Sequence, residues 1–199
     1  MSLKIDIRRL QLINEMAKQG GNAVAEDLTT LTGLDAEMEV TRINFLNVTD
    51  IKAAVGDRQR IGISVGLVEP PHGHILFLID APSAKRLAQH MIGTAASDDA
   101  GGGFSDLEKS AIEEFGNIMT SGFIDGWANA LDTTIDISTP QFAYGAGSDM
   151  IDDLLDFSSD QLALVFDSMV HASEADVGLT VYLFPDLEEL VELMRQIEV

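Results

Sequence analysis

Residues 106–132 read DLEKSAIEEFGNIMTSGFIDGWANALD, and residues 7–33 read IRRLQLINEMAKQGGNAVAEDLTTLTG. Laid over each other, Glu15 falls on Glu114, Ile13 on Ile112 and Met16 on Phe115. In the same frame Met38, Val40 and Phe45 meet Ile137, Thr139 and Tyr144. Further on, GHILFLID (73–80) is similar to GLTVYLFP (178–185), in a frame displaced by extra loop residues. Self-similarity of this kind marks a repeated structural unit.

Local signals give the unit its shape. Ser105-Asp106-Leu107-Glu108 is a capping-box pattern that opens a helix running to about residue 130. Leu107, Ala111, Phe115, Ile118 and Gly122 then line one face at helical spacing. Segments 59–69 and 73–80 carry the β-branched and apolar mix of paired strands, with Pro70, Pro71 and Gly73 in the turn. Segments 161–172 and 177–184 repeat the hairpin. Segments 82–92 and 186–197 read as closing helices, with Pro82 near the first helical position. Each half is therefore a long helix, a strand, a short helix, two strands and a closing helix. The fold class is α+β, with an antiparallel or mixed sheet of about six strands and two long helices packed on it. The repeats span about 5–93 and 104–199, joined by a small-residue linker at 94–103. One pseudo-two-fold domain is expected over 1–199, because a lone three-stranded half would expose a sheet edge that pairing of the halves would cover.

Composition limits the function. The 199 residues are 46% hydrophobic, enough for a sizeable core. No apolar run is long enough to span a bilayer, the N-terminus lacks a secretion signal, and a cytoplasmic protein is expected. Without cysteine there are no disulfides, thiolate chemistry or Cys-based metal sites. Asp plus Glu number 33 against 12 Lys plus Arg, a formal net charge of −21. Such a chain repels nucleic acid and anionic lipid. Strong acidity with few lysines fits a high-salt cytoplasm, where charges are closely screened.

The second long helix carries a polar stripe. Ser110, Glu114, Asn117 and Ser121 fall within an arc of about 60° that borders the apolar face. A carboxylate and an amide one turn apart can address the same external object. On spacing alone such a pair is usually a solvated face. Asn is a mediocre helix former, however, and its place mid-helix asks for a reason.

Ser110, Glu114 and Asn117, followed by Pro140, resemble the motif of the CheC/CheX/FliY phosphatase family. Gly20-Gly21-Asn22-Ala23 is similar to a weaker stretch in that family's first copy, and the duplicated layout is also the family's. The resemblance implies hydrolysis of the phospho-aspartate of a CheY-type chemotaxis response regulator. It implies that Asn117 positions the attacking water, that Glu114 engages a lysine of the regulator, and that Ser110 and Pro140 give structural support. An acyl phosphate is already reactive, so placing water in line with phosphorus suffices. No cofactor of the chain's own is implied; Mg²⁺ comes with the regulator.

The first copy departs from this pattern. Gln11 stands at the Ser110 position, Lys18 at that of Asn117 and Thr41 at that of Pro140, leaving Glu15 alone. An ammonium group cannot accept a hydrogen bond from water, so this site is expected to be inactive. The competing reading is a non-catalytic docking or sensor protein of the motility system, binding phosphorylated CheY or the deamidase CheD. The intact Glu114/Asn117 pair favours the enzyme, and the chain's end at Val199 favours the free-standing CheC form. Internal duplication makes a monomer the expected state.

Other features read as structural. His72 and His74 flank a turn with no third ligand nearby, and His90 and His171 are isolated. Gly101-Gly102-Gly103 lacks the Lys-Ser/Thr of a phosphate-binding loop. Trp127 reads as core, and Asp149, Asp152, Asp153 and Asp156 as a solvated face.

Overall fold

The computed structural model describes residues 7–33, 35–93, 103–154, 162–172 and 175–196, and in them the two halves follow one order. The first runs α1 (Ile7–Thr32), β1 (Ala36–Asn47), α2 (Val48–Val55), β2 (Gln59–Leu67), β3 (Gly73–Asp80) and α3 (Ala81–Met91). The second runs α4 (Asp106–Ala130), β4 (Gln141–Ala146), α5 (Gly147–Leu154), β5 (Leu162–Ala172), β6 (Ala175–Pro185) and α6 (Leu187–Gln196). Most of the expected linker, residues 94–102, and Asp156 lie outside the described residues.

The strands form one sheet in the order β1-β5-β6-β3-β2-β4, and every pair is antiparallel. Each half gives its first strand to the other half's hairpin: β1 pairs with β5, and β4 with β2. In the centre Leu76 pairs with Tyr182 and Phe77 with Val181. The repeat alignment places Leu76 on Val181 and Phe77 on Tyr182, so equivalent residues exchange partners where the pseudo-two-fold axis passes. Pairing of β3 with β6 covers one edge of each half, and β1 and β4 remain outermost. The longer of them, β1, exposes Glu37, Glu39 and Arg42, charges that discourage edge-to-edge association.

Alternation along the strands sets the layers. Ile61, Ile63, Val65 and Leu67 of β2, with Ile75, Phe77 and Ile79 of β3, share a core with α1 and α4. Leu76, Leu78, Tyr182 and Phe184 form the opposite face and meet Val48, Ile51 and Val55 of α2 and Met150 and Ile151 of α5. A Lys52–Asp152 ion pair joins these two short helices, so Asp152 is not simply part of a solvated face. Trp127 is core: its ring lies 5.1 Å from that of Phe123 and 5.4 Å from that of Phe166. Such aromatic pairs contribute about 0.5–1.5 kcal/mol each beyond their burial.

The long helices are held close by glycine. Gly126 packs on Gly20, and Gly122 on Val24, so α1 and α4 run in opposite directions at the crossing. The start of α4 is fixed by the expected capping box. The Ser105 hydroxyl accepts from the Glu108 N–H at 3.2 Å, and the Glu108 carboxylate accepts from the Ser105 N–H at 2.8 Å. The other Glu108 oxygen accepts from the buried Gln89 amide of α3 at 2.9 Å. This contact turns Glu108 into the core and Leu107 out of it. Leu107, expected on the apolar face, is 60% exposed.

Candidate functional site

Ser110, Glu114, Asn117 and Ser121 all face solvent on α4, while Ala111, Phe115, Ile118 and Gly122 between them are buried. The helix thus presents the polar stripe along the margin of its packed face. None of the four polar side chains bonds or ion-pairs with another described residue. Glu114 and Asn117 are one turn apart on a rigid element, with their hydrogen-bonding capacity directed outward.

A glycine sets the height of this part of α4. A β-carbon on Gly116 would lie 2.8 Å from Cδ1 of Ile63, so the helix rests closely on β2 and a larger residue here would displace the Ile63 side chain. Ile63 pairs with Phe142 and Ser64 with Gln141. Pro140 therefore enters β4 beside β2, the strand on which Gly116 of α4 rests. Having no N–H, Pro140 marks where the ladder begins. Before it the chain follows the end of β2 through a single bridge, Leu67 to Ile137. The Ser138 hydroxyl also accepts from the Gly66 N–H at 2.8 Å.

The first copy is built differently at each corresponding position. Gln11 is exposed, as Ser110 is. Glu15 accepts a 2.9 Å bond from the Gln19 side chain, whereas Glu114 has no such partner. Thr41 sits at a break in the β1–β5 register and donates to the Asp167 carbonyl at 3.1 Å, inside a strand that runs on without interruption. Lys18 borders an open cleft of about 260 Å³ with Asn14 and Asn22 of α1 and Met38, Glu39 and Val40 of β1. The two faces related by the pseudo-axis therefore offer different chemistry: a free carboxylate and amide on one, a bound carboxylate and an ammonium on the other.

Elsewhere, His72 Nδ1 lies 2.8 Å from Glu189, so the turn is tied to α6 rather than merely solvated. Among the described residues no cluster of three or more His, Cys, Asp or Glu is placed to hold a metal ion. No described helix is long and apolar enough to cross a membrane. Sequence reasoning missed Gly116, which sets the approach of α4, and Gln19, which occupies Glu15.

The CheC-like family model matches residues 107–144, the stretch from the first turn of α4 to β4 that holds Ser110, Glu114, Asn117 and Pro140. A Halobacterium salinarum protein, provisionally assigned as the CheY-P phosphatase CheC1, is 48% identical over 197 residues, covering 99% of this chain and 100% of that one. The chain belongs to the CheC-like family. Its fold is shared with FliY of Thermotoga maritima, at a TM-score of 0.79 and 16% identity, covering 98% of this chain and 100% of that one. It is shared also with the Borrelia burgdorferi CheX–CheY–BeF3–Mg²⁺ complex, at a TM-score of 0.53 and 18% identity, covering 83% of this chain and 96% of that one.

Proposed function

We propose that this protein is a phosphatase that hydrolyses the phospho-aspartate of a phosphorylated CheY-type response regulator. The observation that carries the reading is the unpartnered Glu114/Asn117 pair, exposed one turn apart on a helix seated on the sheet by Gly116. The 48% identity to a protein provisionally assigned as a CheY-P phosphatase supports it, as does a shared fold with CheX, which has been captured with CheY.

In this mechanism α4 enters the phosphorylation site of the regulator. The Glu114 carboxylate accepts a charge-assisted hydrogen bond from a cationic side chain beside the phosphoryl group. The Asn117 amide orients a water molecule in line with phosphorus. The water oxygen bonds to phosphorus, the bond from phosphorus to the aspartyl oxygen breaks, and the aspartate leaves as a carboxylate. The water protons pass to the released phosphate and solvent. The chemistry is placement rather than strong base catalysis. Mg²⁺ belongs to the regulator. Ser110 and Pro140 shape the surface beside the pair, and the first copy, with Lys18 in place of Asn117, is inactive.

Loss of acyl phosphate from the host's CheY-type regulator, in high-potassium buffer with wild type and Asn117→Ala, tests the proposal. Acceleration by the wild type that disappears in the variant supports it. Binding without acceleration would make the chain a docking or sensing module.

A further inference from the structure

Leu107 and Tyr144 are 60% and 47% exposed, and Leu107 is the most exposed large hydrophobic residue among those described. They lie at one end of the candidate site. Leu107 is one turn before Ser110, about 20° around the helix from Glu114. Tyr144 stands on the outermost strand β4 opposite Ile61, which faces the α4 side of the sheet. Its ring packs edge-on against Phe104, which leads into α4, at 5.5 Å. The residues thus form an apolar shelf from the sheet edge to the first turn of α4.

The repeat supplies an internal comparison. Arg8 occupies the position of Leu107 in the first half, beside the degenerate pair. Phe45 stands where Tyr144 does, so it is the leucine of the shelf that accompanies only the half with an intact Glu/Asn pair. Glu113 and Glu114 are exposed around it, while the exposed Asp106 is paired with Lys109 at 3.6 Å, so the two glutamates make it complementary to an apolar surface bordered by basic side chains. In concentrated salt, where charge attraction is screened to a few ångströms, apolar burial is what holds two proteins together.

Resting on the function proposed above, we infer that Leu107 and Tyr144 form the docking shelf for the receiver domain of the phosphorylated response regulator. Glu114 and Asn117 act on the phosphoryl group, and the shelf sets affinity and choice of regulator.

The test is dephosphorylation kinetics for Leu107→Arg and Tyr144→Ser in molar KCl. Leu107→Arg installs the side chain that the molecule already carries in its other half. The expected result is a KM raised about tenfold, in keeping with loss of an exposed apolar anchor, while kcat stays within about twofold of wild type. Leu10→Ser serves as the control, since Leu10 is 49% exposed near the start of α1 and lies away from the start of antiparallel α4. A wild-type KM in both shelf variants overturns the inference, as does a fall in kcat at unchanged KM. If wild type shows no acceleration, the proposed function fails. Calorimetric binding of the BeF3-loaded regulator then decides the shelf: weakened binding in both variants sustains it, and unaltered binding overturns it.

Discussion

A β-carbon on Gly126 would lie 2.4 Å from the Cα of Gly20 and 2.3 Å from its N. The backbones of α1 and α4 therefore touch, and each repeat contributes one side of the contact. Replacing Gly126 with alanine must drive the long helices apart and loosen the aromatic cluster of Phe123, Trp127 and Phe166. The expected destabilisation is about 3 kcal/mol, the upper end of ordinary overpacking, read from the denaturant midpoint. Asn129→Ala, on the exposed side of the same helix, should change stability by less than about 0.5 kcal/mol. Equal effects from the two would show that the crossing is not tight.

Glu108 links the start of α4 to α3. Burial works to raise its pKa, but bonds to Ser105 and Gln89, with Lys85 nearby, hold it below the ordinary 4.5. Its folded pKa is lowered, so its contribution is complete above the unfolded value and is lost as pH falls through the folded one. Glu108→Ala removes a cap interaction of about 1 kcal/mol and leaves the buried Gln89 amide unpaired, at about 1–3 kcal/mol. The variant should be clearly less stable at pH 7, and its deficit should shrink as pH falls below the ordinary 4.5 and through the lowered folded value. A deficit independent of pH would assign the loss to packing instead.

The duplication was legible because Glu15 and Glu114, and the strands at 73–80 and 178–185, repeat in residue type as well as in pattern. The exchange of β1 and β4 between halves was not. A period of two tells which face a strand buries, not which strand lies beside it. Leu107 fits the helical stripe of Ala111 and Phe115, yet Glu108 rather than Leu107 reaches the core. Periodicity carries no information on where a helix meets its neighbour. The stripe from Ser110 to Ser121 was readable for the opposite reason: exposed polar positions need no partner within the chain, so helix geometry alone places them.

Separate roles for Asn117 and Glu114 should appear in the kinetics. Asn117→Ala should lower kcat for regulator dephosphorylation by about 10²-fold, the scale of losing one positioning contact, with KM little changed. Glu114→Ala should chiefly raise KM. Lys18→Ala should leave both parameters as in wild type, because its neighbour Glu15 is already bonded to Gln19. Residual turnover in Asn117→Ala that vanishes when Lys18→Ala is added would show that the first copy works after all.

The net charge of −21 predicts how the fold responds to salt. Asp27 of α1 shows the effect locally. Burial first, then Asp125 of α4 and Glu26, push its pKa above the ordinary 3.8. Its folded pKa is raised, so the ionised form opposes folding, and this group adds stability as pH falls through the raised value toward 3.8. At neutral pH the remaining relief comes from ions, since the Debye length shrinks from about 10 Å at 0.1 M salt to about 3 Å at 1 M. Dilution from molar KCl to about 0.1 M should lower the thermal midpoint by several degrees, at roughly 2–4 °C per kcal/mol for a chain of this size. Asp27→Asn should reduce that loss. A midpoint indifferent to KCl would mean that the acidic surface is ordinary and not an adaptation to high salt.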